Sequence, residues 1–416
     1  MADIRSGLLV FLIALPLCLG IAIASGFPPI AGLLTAIIGG LIPTFLGSSP
    51  LSIKGPAAGL IVVMVDAVSE LGYEKCLAVG VAAAILQIIF SGLKASKIGK
   101  LMPLAVIHGM LAAIGVIIIA KQIHVLLGVL PSSKKPLQLI AEIPHSIMNA
   151  NPEILALGLL TLAIVIAYPL LPKKMTEKVP ASLMSLVFVL PLAIYWHLDL
   201  DHVYWFEGQS FEVGPKFLVT LPNQIWTSLA FPDFSALSTL VAWKYVIMLA
   251  LIGSLESILT VMAIDTMNPS KHKSNLDKDL FSVGVGNLIA SFIGGLPMIS
   301  EVVRSKANID SGAKSRWSNF YHGLFLLLAV TLLVPIIHEI PLSALAALLI
   351  ITGIRLASPK MFVHMFNQGI NHLLPFLITL FVTLRVDLLV GVFAGVVLTY
   401  LLNLIPHAKR VRSESR

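Results

Sequence analysis

Residues 294–312 read GGLPMISEVVRSKANIDSG. The stretch lies between two apolar runs, yet it holds Glu301, Arg304 and Lys306. Gly294, Gly295 and Pro297 break it, and it is too short for an ordinary membrane-spanning helix, which needs about 20 apolar residues. A stretch of the same design occurs earlier, GSSPLSIKGPAAGLIVVM at 47–64. Each opens with Gly, Ser or Pro and turns into a short apolar helix.

The rest of the chain gives these breaks their meaning. Its 416 residues are 57% hydrophobic and only 12% charged, where a soluble domain carries roughly 25% charged residues. Apolar segments recur at 8–24, 29–47, 56–71, 75–93, 103–121, 152–172, 180–196, 240–263, 279–293, 297–309, 318–337, 341–356, 372–384 and 386–404. The fold class is therefore an all-α polytopic membrane protein with 14 transmembrane segments. The two broken stretches fall in the third and tenth segments. An offset of seven is odd and reverses direction across the membrane. The chain thus reads as a 7+7 inverted repeat whose broken helices meet near the midplane.

Charge sets an expected orientation. With Arg5 and the N-terminus in the cytoplasm, the basic loops 94–100, 172–178, 268–279, 306–316 and 355–360 all fall inside, as does the basic tail 405–416. The acidic stretch HLDLDHVYWFEGQSFE (197–212) falls outside. Both termini are expected in the cytoplasm. Trp205, Phe206 and Trp226 suit either interfacial anchoring or ordinary packing.

Other chemistries find little support. The formal charge of +7 sits in short loops, so nucleic acid is not an expected partner. Cys18 and Cys76 lie in apolar segments and read as small buried hydrophobes. No HExxH or CxxC spacing suggests a metal, and no nucleophile–base pair or cofactor loop suggests an enzyme.

A half-helix that begins inside the membrane leaves free N–H groups at its N-terminus, which carry partial positive charge. Two such ends aimed at one spot form an anion site, and an arginine adds fixed charge and a forked donor set. Two readings of Arg304 stay open: it supplies positive field to that site, or it snorkels from a helix end. Glu256, within LIGSLESILTVM, is an intramembrane carboxyl. Such a group is costly when ionised, so it either loads and releases a proton during transport or acts as a static partner of Arg304 or of backbone amides. Glu301, one turn before Arg304, would orient it or pair with it. Asp265, Asp277, Asp279, Asp310 and Asp387 read as helix caps or surface pairs, and Gly391 with Gly395 as a close-packing GxxxG.

Four stretches resemble the SulP family of anion transporters, bacterial relatives of the SLC26 carriers: ALPLCLGIAIASGFPPIAGL (14–33), GSSPLSIKGPAAGL (47–60), SLESILTVMAID…NLDKDLFSVGVGNLIASFIGGLP (254–297) and VRSKANIDSGAKSRWSNFYHG (303–323). The resemblance implies a core domain from residues 1–98 and 240–338 and a gate domain from 99–239 and 339–404. It implies alternating access by a homodimer in a bacterial inner membrane. It also implies an anion site formed by Pro56, Ala57 and Ala58, by Val302, Val303 and Arg304, by Leu17 and Ile21 on the first helix, and by Glu256. This chain departs from the family where Leu17, Ile21, Ala57 and Val303 replace polar or aromatic side chains. Val303 stands where sodium-coupled members carry a hydroxyl. The family's C-terminal STAS domain is also missing from the chain.

The expected function is secondary transport of a small inorganic oxyanion, bicarbonate first, with sulfate or a dicarboxylate as alternatives and H⁺ or Na⁺ as candidate coupling ions. No cofactor is expected. A nucleobase carrier of the same 7+7 fold, using Glu256 and Glu301, is a further reading, and a channel is another.

Overall fold

The computed structural model describes residues 1–99, 102–131, 133, 135–176, 179–222 and 229–404. Trp226 and the basic tail 405–416 lie outside the described residues. A helix forms in each apolar segment: α1 (Ala2–Ala24), α2 (Pro29–Leu41), α3 (Ile61–Leu71), α4 (Tyr73–Gly92), α5 (Leu104–Leu126), α6 (Pro152–Ala167), α7 (Ala181–Tyr195), α8 (Leu240–Met267), α9 (Leu276–Phe292), α10 (Val302–Asp310), α11 (Trp317–Leu332), α12 (Leu342–Leu356), α13 (Ile370–Arg385) and α14 (Leu388–Leu404). Seven helical stretches among the described residues are long and apolar enough to cross a membrane by length and composition, and four shorter apolar helices accompany them.

Local chemistry starts several of these helices. Asn151 accepts from Ile154 N–H to cap α6, Thr239 accepts from Ala242 N–H to cap α8, and Asn275 accepts from Lys278 N–H to cap α9. Proline occupies the first turn of α2 and α6, where its missing N–H costs nothing.

Four short strands depart from the purely helical expectation. The hairpin β2 (His202–Phe206) and β3 (Gln209–Val213) falls in the acidic loop, and β1 (Ile53–Pro56) pairs antiparallel with β4 (Met298–Glu301). The second pair lies where the two broken helices meet. Its register sets Ile53 opposite Glu301 and Pro56 opposite Met298. Backbone that leaves the helix at membrane depth must be satisfied by protein. Here the two breaks satisfy each other through strand pairing.

Buried side chains supply the remaining partners. Thr35 Oγ1 donates to the Leu296 carbonyl at 3.0 Å, and Asn287 Nδ2 donates to the Met298 carbonyl at 3.0 Å. Ser305 Oγ accepts from Ile53 N–H at 2.8 Å, and Asn308 Nδ2 donates to the Leu51 carbonyl at 3.0 Å. Gly294 enters the second break at φ +101°, in the left-handed region that glycine adopts at no steric cost.

Helix packing follows the repeat. α4 packs on α9 as α11 packs on α2, α1 packs on α11 as α8 packs on α4, and α13 packs on α5 as α6 packs on α12. Each pair becomes its counterpart when seven is added to, or subtracted from, the helix numbers. One departure matters for function. α3 packs against α5, while α10 and α12, the corresponding pair, form facing walls of a cavity.

Candidate functional site

The cavity has a volume of about 760 Å³. Leu17 and Ile21 of α1, Val303 of α10, and Leu348 and Thr352 of α12 line it. Its mouth carries Arg5, Lys306 and Arg355, so it opens at the end of the molecule where α1 begins. The inner end reaches Ala58, Glu301 and Arg304.

Five of the expected site residues, Leu17, Ile21, Ala58, Val303 and Arg304, therefore share one cavity. Pro56, at the end of β1, and Ala57 are buried behind its wall. Glu256 is also buried behind the wall, with its side chain reaching toward the start of α3. Val302 is not among the lining residues and is 41% exposed.

Arg304 does not snorkel. It is 1% exposed; the Cys18 thiol lies beside its guanidinium, and none of the three guanidinium nitrogens is bonded to an oxygen among the described residues. The guanidinium lies against Gly55, where a Cβ would stand 2.2 Å from Nη1. Gly59 does the same for the acid, since a Cβ there would stand 1.8 Å from Oε1 of Glu256. Both carboxylate oxygens of Glu256 also lack a partner among the described residues. An unpaired buried ion costs several kcal/mol. For Arg304 the compensation is charge proximity, because the Glu301 carboxylate lies within electrostatic reach of the guanidinium; Glu256 has no such opposite charge beside it among the described residues.

The frame behind the site is ionic. Lys54 Nζ bonds Asp279 Oδ1 at 3.1 Å, with both side chains at most 2% exposed. Asp279 Oδ1 also accepts from the backbone N–H of Ser48 and Ser49, and Oδ2 accepts from Ser300 Oγ at 3.2 Å. This corrects the reading of Asp279 as a cap or surface pair. One carboxylate ties β1, β4 and the turn before β1 to α9. Sequence reasoning missed Lys54, although a lysine inside an apolar stretch signals a buried counter-ion. It also missed Gly55 and Gly59, whose role depends on contacts across the fold.

Asp387 and Asp310 behave as expected, whereas Asp265 accepts from Ser274 and Asp277 from the N–H of Ser96. Asp387 Oδ1 accepts from Val390 N–H at 2.8 Å and caps α14. Lys306 pairs with Asp310 on the surface. Gly391 and Gly395 let α14 approach Thr383 and Thr379 of α13, so the GxxxG is used within the chain.

Two antiparallel half-helices thus present their N-termini to the inner end of a cavity, with a fixed guanidinium beside them. That arrangement is chemically suited to an oxyanion.

Known proteins are similar in sequence and in fold. BicA, a bicarbonate transporter of Picosynechococcus sp., is 27% identical over 361 residues, covering 85% of this chain and 61% of that protein. YvdB of Bacillus subtilis, to which a sulfate-transport role is provisionally assigned, is 29% identical over 366 residues, covering 87% of this chain and 66% of that protein. The chain spans about two thirds or less of the length of these relatives. The structure of the transmembrane domain of a cyanobacterial BicA superposes with a TM-score of 0.76 at 25% identity, covering 95% of this chain and 97% of that one. Relatives of this kind are transporters, not enzymes. The sulfate permease family model matches residues 1–379, and the chain belongs to that family.

Proposed function

We propose that the protein is a secondary transporter of a small inorganic oxyanion, with bicarbonate as the leading substrate. The observation that carries this reading is the convergence of two half-helix N-termini and buried Arg304 at the blind end of one cavity. The helices α1–α4 and α8–α11 form the core that carries the site, and α5–α7 with α12–α14 form the gate. Movement of one against the other exposes the anion to each side in turn. The mouth, with Arg5, Lys306 and Arg355, faces the cytoplasm of a bacterial inner membrane, so the structure is inward-facing. The transporter works as a homodimer.

Glu256 is the coupling residue, taking a proton with the anion and releasing it inside. A sodium site is disfavoured by the absence of a hydroxyl at Val303. Sulfate is the second reading, supported by the relative assigned to sulfate transport. Uptake of labelled bicarbonate and sulfate into proteoliposomes, with and without Na⁺ and proton gradients, tests both. Saturable bicarbonate uptake driven by a proton gradient fits the proposal. Uptake of sulfate alone reverses the substrate order, and uptake of neither anion refutes the reading.

A further inference from the structure

Glu301 places a negative charge where the transported anion should sit. It is the residue immediately before α10, with extended backbone at φ −101° and ψ 118°. An acid at this position ordinarily accepts from the first amides of its own helix. Glu301 makes no such bond. Its carboxylate instead lies within electrostatic reach of the N–H of Ala58, at the start of the turn that opens α3. It reaches from one half-helix N-terminus to the other.

Three further observations fix what this position is. The side chain lines the inner end of the cavity beside Ala58, Val303 and Arg304. Its Oε1 is buried without a hydrogen-bond partner among the described residues. The guanidinium of Arg304, nine-tenths buried and more, lies beside it with no nitrogen bonded to an oxygen among the described residues. The carboxylate therefore stands among donors that suit an oxyanion, and it satisfies them only in part.

We infer that Glu301 is a tethered anion, an internal ligand that occupies the substrate position and must be displaced before an external anion binds. The inference rests on the site proposed above. An internal ligand competes at the effective concentration set by its tether, and this tether is only three rotatable side-chain bonds long. It lowers the apparent affinity for every small anion. It also shields the buried guanidinium when no substrate is bound, so that the empty carrier does not strand an unpaired charge.

The test compares saturable uptake of labelled bicarbonate and sulfate by wild type, Glu301→Gln and Arg304→Ala in proteoliposomes. Glutamine keeps the shape of the side chain and removes its charge. The expected result is a fall in KM of about tenfold in Glu301→Gln, equivalent to about 1.4 kcal/mol, with a smaller change in kcat. Glu301→Ser, which retains a residue favoured before a helix, gives the same readout if the glutamine variant does not fold. An unchanged or raised KM in the folded variant, together with loss of uptake in Arg304→Ala, overturns the role of Glu301 alone. Wild-type uptake by Arg304→Ala overturns the site beneath it.

Discussion

Arg304 and Glu256 hold related places. The register of β1 and β4 defines a local two-fold axis, and that axis carries Gly59 onto Arg304. The space beside Gly59 is filled by the Glu256 carboxylate, which arrives from α8. The two halves of the repeat therefore differ in charge at equivalent points, with an acid beside α3 and a base on α10. A base fixes an anion, and an acid that changes protonation couples it to H⁺. Glu256→Gln keeps the volume and removes the titrating group. If Glu256 carries the proton, wild-type uptake rises as external pH falls, and the variant shows a flat pH profile. Uptake by the variant that keeps the wild-type pH dependence would leave Glu256 as a static structural group.

At the scale of elements, the broken helices were legible because Gly, Ser and Pro interrupt apolar runs that are otherwise continuous. Their inverted relation was legible from the odd offset between the third and tenth segments. The pairing of β1 with β4 was not, since four residues are too few to show a strand period. Asp279 misled for a local reason: an acid in the first turn of a helix normally serves the helix N-terminus, and its partner Lys54 is 225 positions away. Breaking a buried pair on one side is costly, and replacing both partners is much less so. Lys54→Met alone should lower stability by about 3–5 kcal/mol. Lys54→Met with Asp279→Leu should recover much of that loss. Thermal unfolding in detergent reads both, and a double variant no more stable than the single one would show that Asp279 is held by its other bonds.

Across the whole molecule, the repeat is symmetric in packing and asymmetric in closure. The end opposite the cavity mouth is shut by contacts between the two proposed domains. Lys244 at the start of α8 pairs with Asp387 at the start of α14 at 3.4 Å, Lys121 of α5 donates to the Ala24 carbonyl at 2.7 Å, and Val62 of α3 packs into clusters on both sides. Opening that end requires all three to part. Asp387→Asn keeps the cap on α14 and removes the ion pair, which is partly exposed and worth less than about 1 kcal/mol. It should raise labelling of Val62→Cys by an impermeant maleimide from that side by up to about fivefold, against a low background from the buried Cys18 and Cys76. Unchanged labelling would mean that apolar packing alone holds the closure. The central claim, that an anion is held by two half-helix N-termini and one guanidinium, is met most directly by anion uptake in Arg304→Ala, reconstituted at matched protein content beside wild type. Removing a charge-assisted donor should cost about 1.5–3 kcal/mol of anion binding, and uptake at substrate concentrations below KM should fall at least tenfold in a protein that still folds. Uptake by that variant at the wild-type rate and KM would contradict the account.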